Sequence, residues 1–367
     1  MIPLTIANVG VVDVAAGRVV PEQSVIVRDG RISFGEPAGE IVDGRGKFLI
    51  PGLCDAHVHL CWKGEDSLAT LVGYGITAVR DLGGHLHELD EWRAEIEAGV
   101  RVGPRIWRAG PILNGKSFNE YQRVIADEEE ARATARELAE AGVDFLKTHR
   151  STSREAYFAL IDEGRKLGLD VVGHIPMAIE PAEAIASGQA TVEHTETIFE
   201  GTWDAARTEP WPDAVRRFRA ESADELFAHF VHYGVPLTPT LVPWALVVEA
   251  GDEEWEELLP EFLAVVGQMN RAGITLLAGT DIAADRPTGT TLHRELELLV
   301  QAGLTPAEAL RAATITPARV LGVDSELGSV DEGKLADLVL LEANPLENIS
   351  NTQRIDTVMA RGARVRG

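Results

Sequence analysis

Between residues 53 and 281 the chain repeats one texture eight times, a short apolar run that ends in polar residues: LCDAHVHL, ITAVRDL, RIWRAGPIL, DFLKTHR, DVVGHIP, ATVEHTE, PLTPTLV and TLLAGTD. Runs of this length are expected to be strands. Between them lie segments such as EEEARATARELAEAG, SREAYFALIDEGRKLG and EEWEELLPEFLAVVGQMNRAG, with helical periodicity and a closing glycine. Strands alternating with helices build a parallel sheet, and eight such units predict an α/β fold of the TIM-type (β/α)8 barrel class. A doubly wound sheet is the runner-up, but no glycine-rich phosphate fingerprint follows the first of these strands.

The two ends read differently. Residues 1–50 carry short strands and turns, among them QSVIVRDGRI with an Asp29-Gly30 turn, and the tail 322–367 returns to strands and glycine turns. By length the tail cannot form a stable domain alone. We therefore expect a small β-sandwich domain formed by both chain ends, 1–50 and 322–367, around a barrel inserted at 51–321. A net charge of −24 opposes binding to nucleic acid or anionic lipid. No stretch is apolar for long enough to span a membrane, and the start has no basic region ahead of its apolar residues, so the expected location is cytoplasmic. A small-molecule substrate is the expected partner, and a homo-oligomer is compatible with the sequence. Two cysteines, Cys54 and Cys61, cannot make a disulfide framework.

Barrel chemistry sits at the carboxyl ends of the strands. In LIPGLCDAHVHL the spacing puts His57 and His59 on one face. His174 ends the fifth run, His194 the sixth and Asp281 the eighth, while Lys147 lies near the end of the fourth. Four imidazoles and a carboxylate suit Zn²⁺, and also Mn²⁺, Co²⁺, Ni²⁺ or Fe²⁺. An ammonium has no lone pair, so Lys147 is either a charged bystander or has added CO₂ to become a carbamate able to bridge two cations.

DAHVHL, FLKTH, VVGHIP, TVEHTE and AGTDI, followed by GSVDEGKLADLVLL, together resemble the amidohydrolase superfamily, in its imidazolonepropionase-like and metal-dependent dipeptidase (prolidase-like) branch. The resemblance implies a barrel with a flanking β domain and two divalent metal ions, zinc being the expected one. It also implies that His57, His59 and Asp281 hold the buried metal, that His174 and His194 hold the more exposed one, and that carboxylated Lys147 bridges both. A metal-activated hydroxide would then cleave an amide or peptide-like C–N bond of a dipeptide or N-acyl amino acid, with Asp281 as proton shuttle. Hydrolysis of a cyclic amide or imidazolone, a lactone or a phosphotriester on the same centre is the alternative. A catalytically silent homologue is disfavoured because all six positions are kept. His232, Tyr121 and His149 are candidate oxyanion donors. Arg150, Lys116 and Arg286 are candidate partners for a substrate carboxylate, and Trp244 is the tryptophan best placed for a pocket. Asp81 is read as an anchor behind the site or a turn residue, and His85, His87 and His293 as surface groups.

Overall fold

The computed structural model describes residues 3–200, 210–281 and 289–367. Strands from both chain ends join in one eight-stranded sheet. Leu4–Asp13, Arg18–Arg28, Arg31–Phe34, Glu40–Asp43 and Phe48–Pro51 come from one end, Leu338–Leu341, Ile355–Ala360 and Ala363–Arg366 from the other. The seam is antiparallel, with Leu338 opposite Pro51 and Leu340 opposite Leu49. Asp29 and Gly30, both at positive φ (50° and 76°), form the expected two-residue hairpin between Arg28 and Arg31. Alternate residues of these strands, such as Val9, Val25, Ile32, Leu49, Leu338 and Met359, pack into one apolar cluster. Hydrogen bonding joins strands of both chain ends in a single sheet, in which Leu4–Asp13 pairs with Arg18–Arg28, Glu40–Asp43 and Phe48–Pro51.

The inserted region is parallel. Leu53–Val58, Ile76–Asp81 and Arg105–Arg108 pair in that order. Ile112–Asn114, Phe145–Thr148, Asp170–Gly173, Gln189–Glu193 and Leu237–Thr238 form a second parallel set, with Gln122–Val124 on its outer edge. The first two strands are buried at every position, as parallel strands covered on both faces should be. The third run splits at Gly110-Pro111, where φ of Gly110 is 75° and proline has no N–H for a ladder. The eighth run makes one bridge, Leu276 to Leu237, and its backbone bonds to the first strand through Ala56 N–H to Ala278 O (2.9 Å) and Asp281 N–H to His57 O (2.9 Å). Asp144 N–H donates to Arg108 O (3.0 Å), joining the two sets.

The helices follow their sequence signals. Asp127 caps Glu128–Glu140 by accepting from Glu130 N–H (2.9 Å), and Ser153 caps Arg154–Leu167, which ends at Gly168 with φ 71°. No helix among the described residues is long and apolar enough to cross a membrane. Cys54 and Cys61 are free and buried.

One buried carboxyl fixes the segment after the seventh strand. Glu295 accepts from Leu241 N–H (3.1 Å) and Val242 N–H (2.8 Å), two of the donors left open at the start of the helix Val242–Glu249. Burial pushes its carboxyl up to about 8. In the unfolded chain the group ionises near its ordinary value, so between that value and about 8 the unfolded state holds fewer protons. This contribution to stability is therefore full at mildly acidic pH and is lost as pH rises through about 8. We expect Glu295→Gln to flatten this dependence, on the order of a few kcal/mol between pH 5 and pH 9. Urea unfolding of both proteins at the two pH values tests it, and identical slopes would remove the assignment.

Candidate metal centre

The strand ends bring five of the expected residues together. His57 Nε2 lies 3.4 Å and His59 Nε2 3.2 Å from Asp281 Oδ1, and ligand atoms of these three residues lie within 4.8 Å of one another. The His194 ring is 4.7 Å from that of His57 and 4.3 Å from that of His174, and His194 Nδ1 is 3.8 Å from Asp281 Oδ2. All four imidazoles are buried, while the Asp281 side chain remains 27% exposed.

Each imidazole is held by what lies behind it. His57 Nδ1 faces Glu193 Oε2 (3.1 Å), His59 Nδ1 faces Gly83 O (3.0 Å), and His194 Nδ1 faces Thr240 Oγ1 (2.8 Å). A proton on Nδ1 of His57 and of His59 leaves Nε2 with its lone pair toward the centre. Burial, then the charge of Lys147, pushes His57 down to about 4, so its ring is neutral at physiological pH. Burial also holds His174 and His194 well below the usual imidazole range. His194, Thr240 and Asp281 all have positive φ (72°, 49° and 46°), a conformation that costs most residues energy and here aims side chains at one rim.

Beneath the rim lies a network of which the sequence-based expectations had named only Asp81. Arg80 pairs with Glu193, donates through Nε to Ala56 O (2.7 Å) and through Nη1 to Thr191 Oγ1 (3.0 Å), all in buried surroundings. Burial alone would raise the Glu193 carboxyl, but Arg80 foremost and His57 next hold it well below the usual carboxylate range. Asp55 accepts from His57 N–H (3.2 Å), Thr280 N–H (3.0 Å) and Thr280 Oγ1 (2.7 Å), tying the first strand to the eighth run. Asp81 accepts from Leu60 N–H (2.7 Å) and Gly83 N–H (3.1 Å), which makes it an anchor behind His59. The available signal was a charged residue inside an otherwise apolar run, as in AVRDL and TVEH.

Lys147 is 1% exposed and its Nζ has no hydrogen-bond partner. Gly173 leaves it room: a Cβ there would lie 2.6 Å from Lys147 Cδ. Burial holds the ammonium down to about 8. His57 Nε2 and His174 Nδ1 are likewise buried without a partner. Unpaired buried polar atoms are costly, and cation coordination relieves that cost for imidazoles. The donor set therefore fits divalent metal.

The remaining expected residues divide. The His149 ring lies 4.3 Å from His174, and Asn114 Nδ2 is 3.2 Å from His149 Nδ1, so His149 belongs to the site. Tyr121 stands at its edge. Its hydroxyl donates to Cys61 O (3.4 Å) and its ring is 5.7 Å from Trp62, which stacks on His59 at 4.1 Å. Trp244 is half-buried and stacks on Trp255 at 4.1 Å. Arg150 and Lys116 are exposed in loops that follow strand ends. Arg286 lies outside the described residues.

Two expectations are corrected. His232 is exposed in the last turn of Ala223–Tyr233, ahead of the seventh strand and thus at its amino end, with its ring edge against Tyr233; it is not an oxyanion donor. His293 is fully buried between Thr352 Oγ1 (2.9 Å) and Tyr74 O (3.0 Å) and serves packing.

The sequence profile of the amidohydrolase family matches residues 48–365. The chain belongs to the amidohydrolase family. It is a hydrolase acting on carbon–nitrogen bonds, in the imidazolonepropionase- and dipeptidase-like branch. This amidohydrolase is 25% identical to ochratoxinase of Aspergillus niger over 82% of its own chain and 71% of that protein. It is 26% identical to imidazolonepropionase of Symbiobacterium thermophilum over 88% and 84% of the two chains. A prolidase-like protein from Bifidobacterium longum superposes with a TM-score of 0.82 at 29% identity, covering 99% of this amidohydrolase and 94% of that chain. Members of the family generally use divalent metals, in keeping with the donor set above.

Proposed function

We propose that this amidohydrolase hydrolyses the amide of a dipeptide or N-acyl amino acid at a centre of two divalent cations, zinc foremost. His57, His59 and Asp281 would hold one cation, His174 and His194 the other, and Lys147 as a carbamate would join them. The observation that carries the reading is the convergence of these six side chains, three of them ending in buried atoms without partners. A cation held there would supply Lewis-acid polarisation of the scissile carbonyl and a lowered pKa for water.

The chain's own groups account for the rest. Asp281, the partly exposed carboxylate of the cluster, takes a proton from the attacking water and returns it to the leaving nitrogen. His149 and Tyr121 border the space where the carbonyl oxygen would lie, and Arg150, Lys116 and Arg286 are the cations offered to a substrate carboxylate. The backbone bonds of the eighth run to the first strand, and of Asp144 to Arg108, support a closed eight-stranded barrel as the frame. The likeness to imidazolonepropionase keeps cyclic amides as the second reading.

The test is hydrolysis of matched amides by metal-loaded protein. Exhaustive chelation is expected to abolish activity and added divalent metal to restore it, and amidating the substrate carboxylate to slow it. Activity that survives when elemental analysis shows the metal gone would overturn the reading. Equal rates on free and amidated substrates would move the preference to neutral cyclic amides.

A further inference from the structure

Among the described residues the rim holds one buried acid for which the proposed amide hydrolysis has no use. Glu196 follows His194 by two positions and is 8% exposed. The Trp244 indole hydrogen-bonds its carboxyl, and the charges of Arg150 and Asp281 act on it. Those three groups come from the ends of the seventh, fourth and eighth runs, so this carboxyl sits among rim residues. Its Oε2 is nevertheless buried with no hydrogen-bond partner. Other buried acids contrast with it. Asp55, Asp81, Glu193 and Glu295 each have both oxygens engaged by donors of the fold. Leaving one carboxyl oxygen dry and unmatched is costly, and no contact of the fold is gained by it.

Resting on the amide-hydrolysis reading, we propose that Glu196 is a specificity-determining residue whose Oε2 receives a protonated amine of the substrate, so that dipeptides with a free α-amine are preferred over N-acyl amino acids. An ammonium is the ligand that matches a buried carboxylate in both charge and hydrogen-bond polarity. The same group placed on the acyl side of the scissile bond distinguishes a dipeptide from an acylated amino acid, which has no donor to offer there.

The experiment compares matched pairs on metal-loaded protein, each a dipeptide and its desamino counterpart, such as leucylglycine and 4-methylpentanoylglycine, with wild type and Glu196→Gln and with metal content measured in both. Wild type is expected to favour the amine by roughly 10- to 100-fold in kcat/KM, and Glu196→Gln to lose that margin on the dipeptide while handling the desamino compound as before. If neither compound is hydrolysed, the amide reading falls, yet both are then stable ligands. A Glu196-dependent preference for the amine in Kd would still support the amine pocket. Equal handling of the pair by wild type, an equal loss on both compounds in the variant, or no binding of either would overturn the proposal. Equal handling by wild type decides the matter even if the variant does not fold.

Discussion

Asp281→Asn, with its metal content verified, is expected to lose about 10³-fold in kcat, the scale of general acid–base catalysis by a positioned group, with KM changed by only a few-fold. Asp281 is the carboxylate of the cluster that keeps contact with solvent, at 27% exposure, and its Oδ1 lies 3.2 Å from His59 Nε2 and 3.4 Å from His57 Nε2. The amide of Asn can accept a hydrogen bond but cannot carry a proton from water to a leaving amine. Its backbone at φ 46° is a conformation that Asn tolerates about as well as Asp, so the change tests chemistry rather than geometry. A fully metallated Asn variant with near-normal turnover would end the proton-shuttle assignment.

The second large effect is expected at Lys147. Lys147→Met keeps the length of the side chain beside Gly173 while removing the nitrogen, and should leave the protein with one metal instead of two. The accompanying loss in kcat/KM should at least match the roughly 10- to 100-fold typical of losing a group that supports a metal site. Because burial holds the amine down to about 8, a useful fraction is uncharged near neutral pH. That uncharged nitrogen can add to CO₂, forming an N–C bond and releasing one proton to leave a carbamate. A small carboxylic acid in solution should restore part of the lost activity in a shortened variant, Lys147→Ala, which leaves room for it. Retention of two metals and normal turnover in Lys147→Met would exclude the bridge, as would an unmodified amine at full metal occupancy in protein prepared with bicarbonate.

Much of the centre was legible because strand parity and strand polarity are simple rules. A spacing of two puts His57 and His59 on one face, and the carboxyl-end rule selected His174, His194 and Asp281 from runs far apart in sequence. The same polarity explains the failure at His232. Four residues separate it from a strand, but it lies before that strand rather than after it, so it sits away from the rim. Arg80 and Glu193 escaped notice because their partners are set by the way the strands assemble. The pair spans 113 positions and turns inward where apolar side chains would be expected. The end sheet was legible as strands and turns, and a tail too short to stand alone pointed to pairing between the two chain ends, which meet in one sheet; the order of the strands within it was not legible, because it depends on which distant edges meet.

That seam has a consequence for how the molecule comes into being. Phe48–Pro51 lies between Leu4–Asp13 on one side and Leu338–Leu341 on the other. On a ribosome its second neighbour is made nearly a whole chain later, so for roughly tens of seconds at ordinary elongation rates the strand is a bare edge with unpaired N–H and C=O groups. All the strands that bear the candidate metal ligands emerge within that interval. The nascent chain must therefore shield its earliest strands while its catalytic half takes shape, and a premature stop near residue 338 would be felt first at the opposite end of the polypeptide.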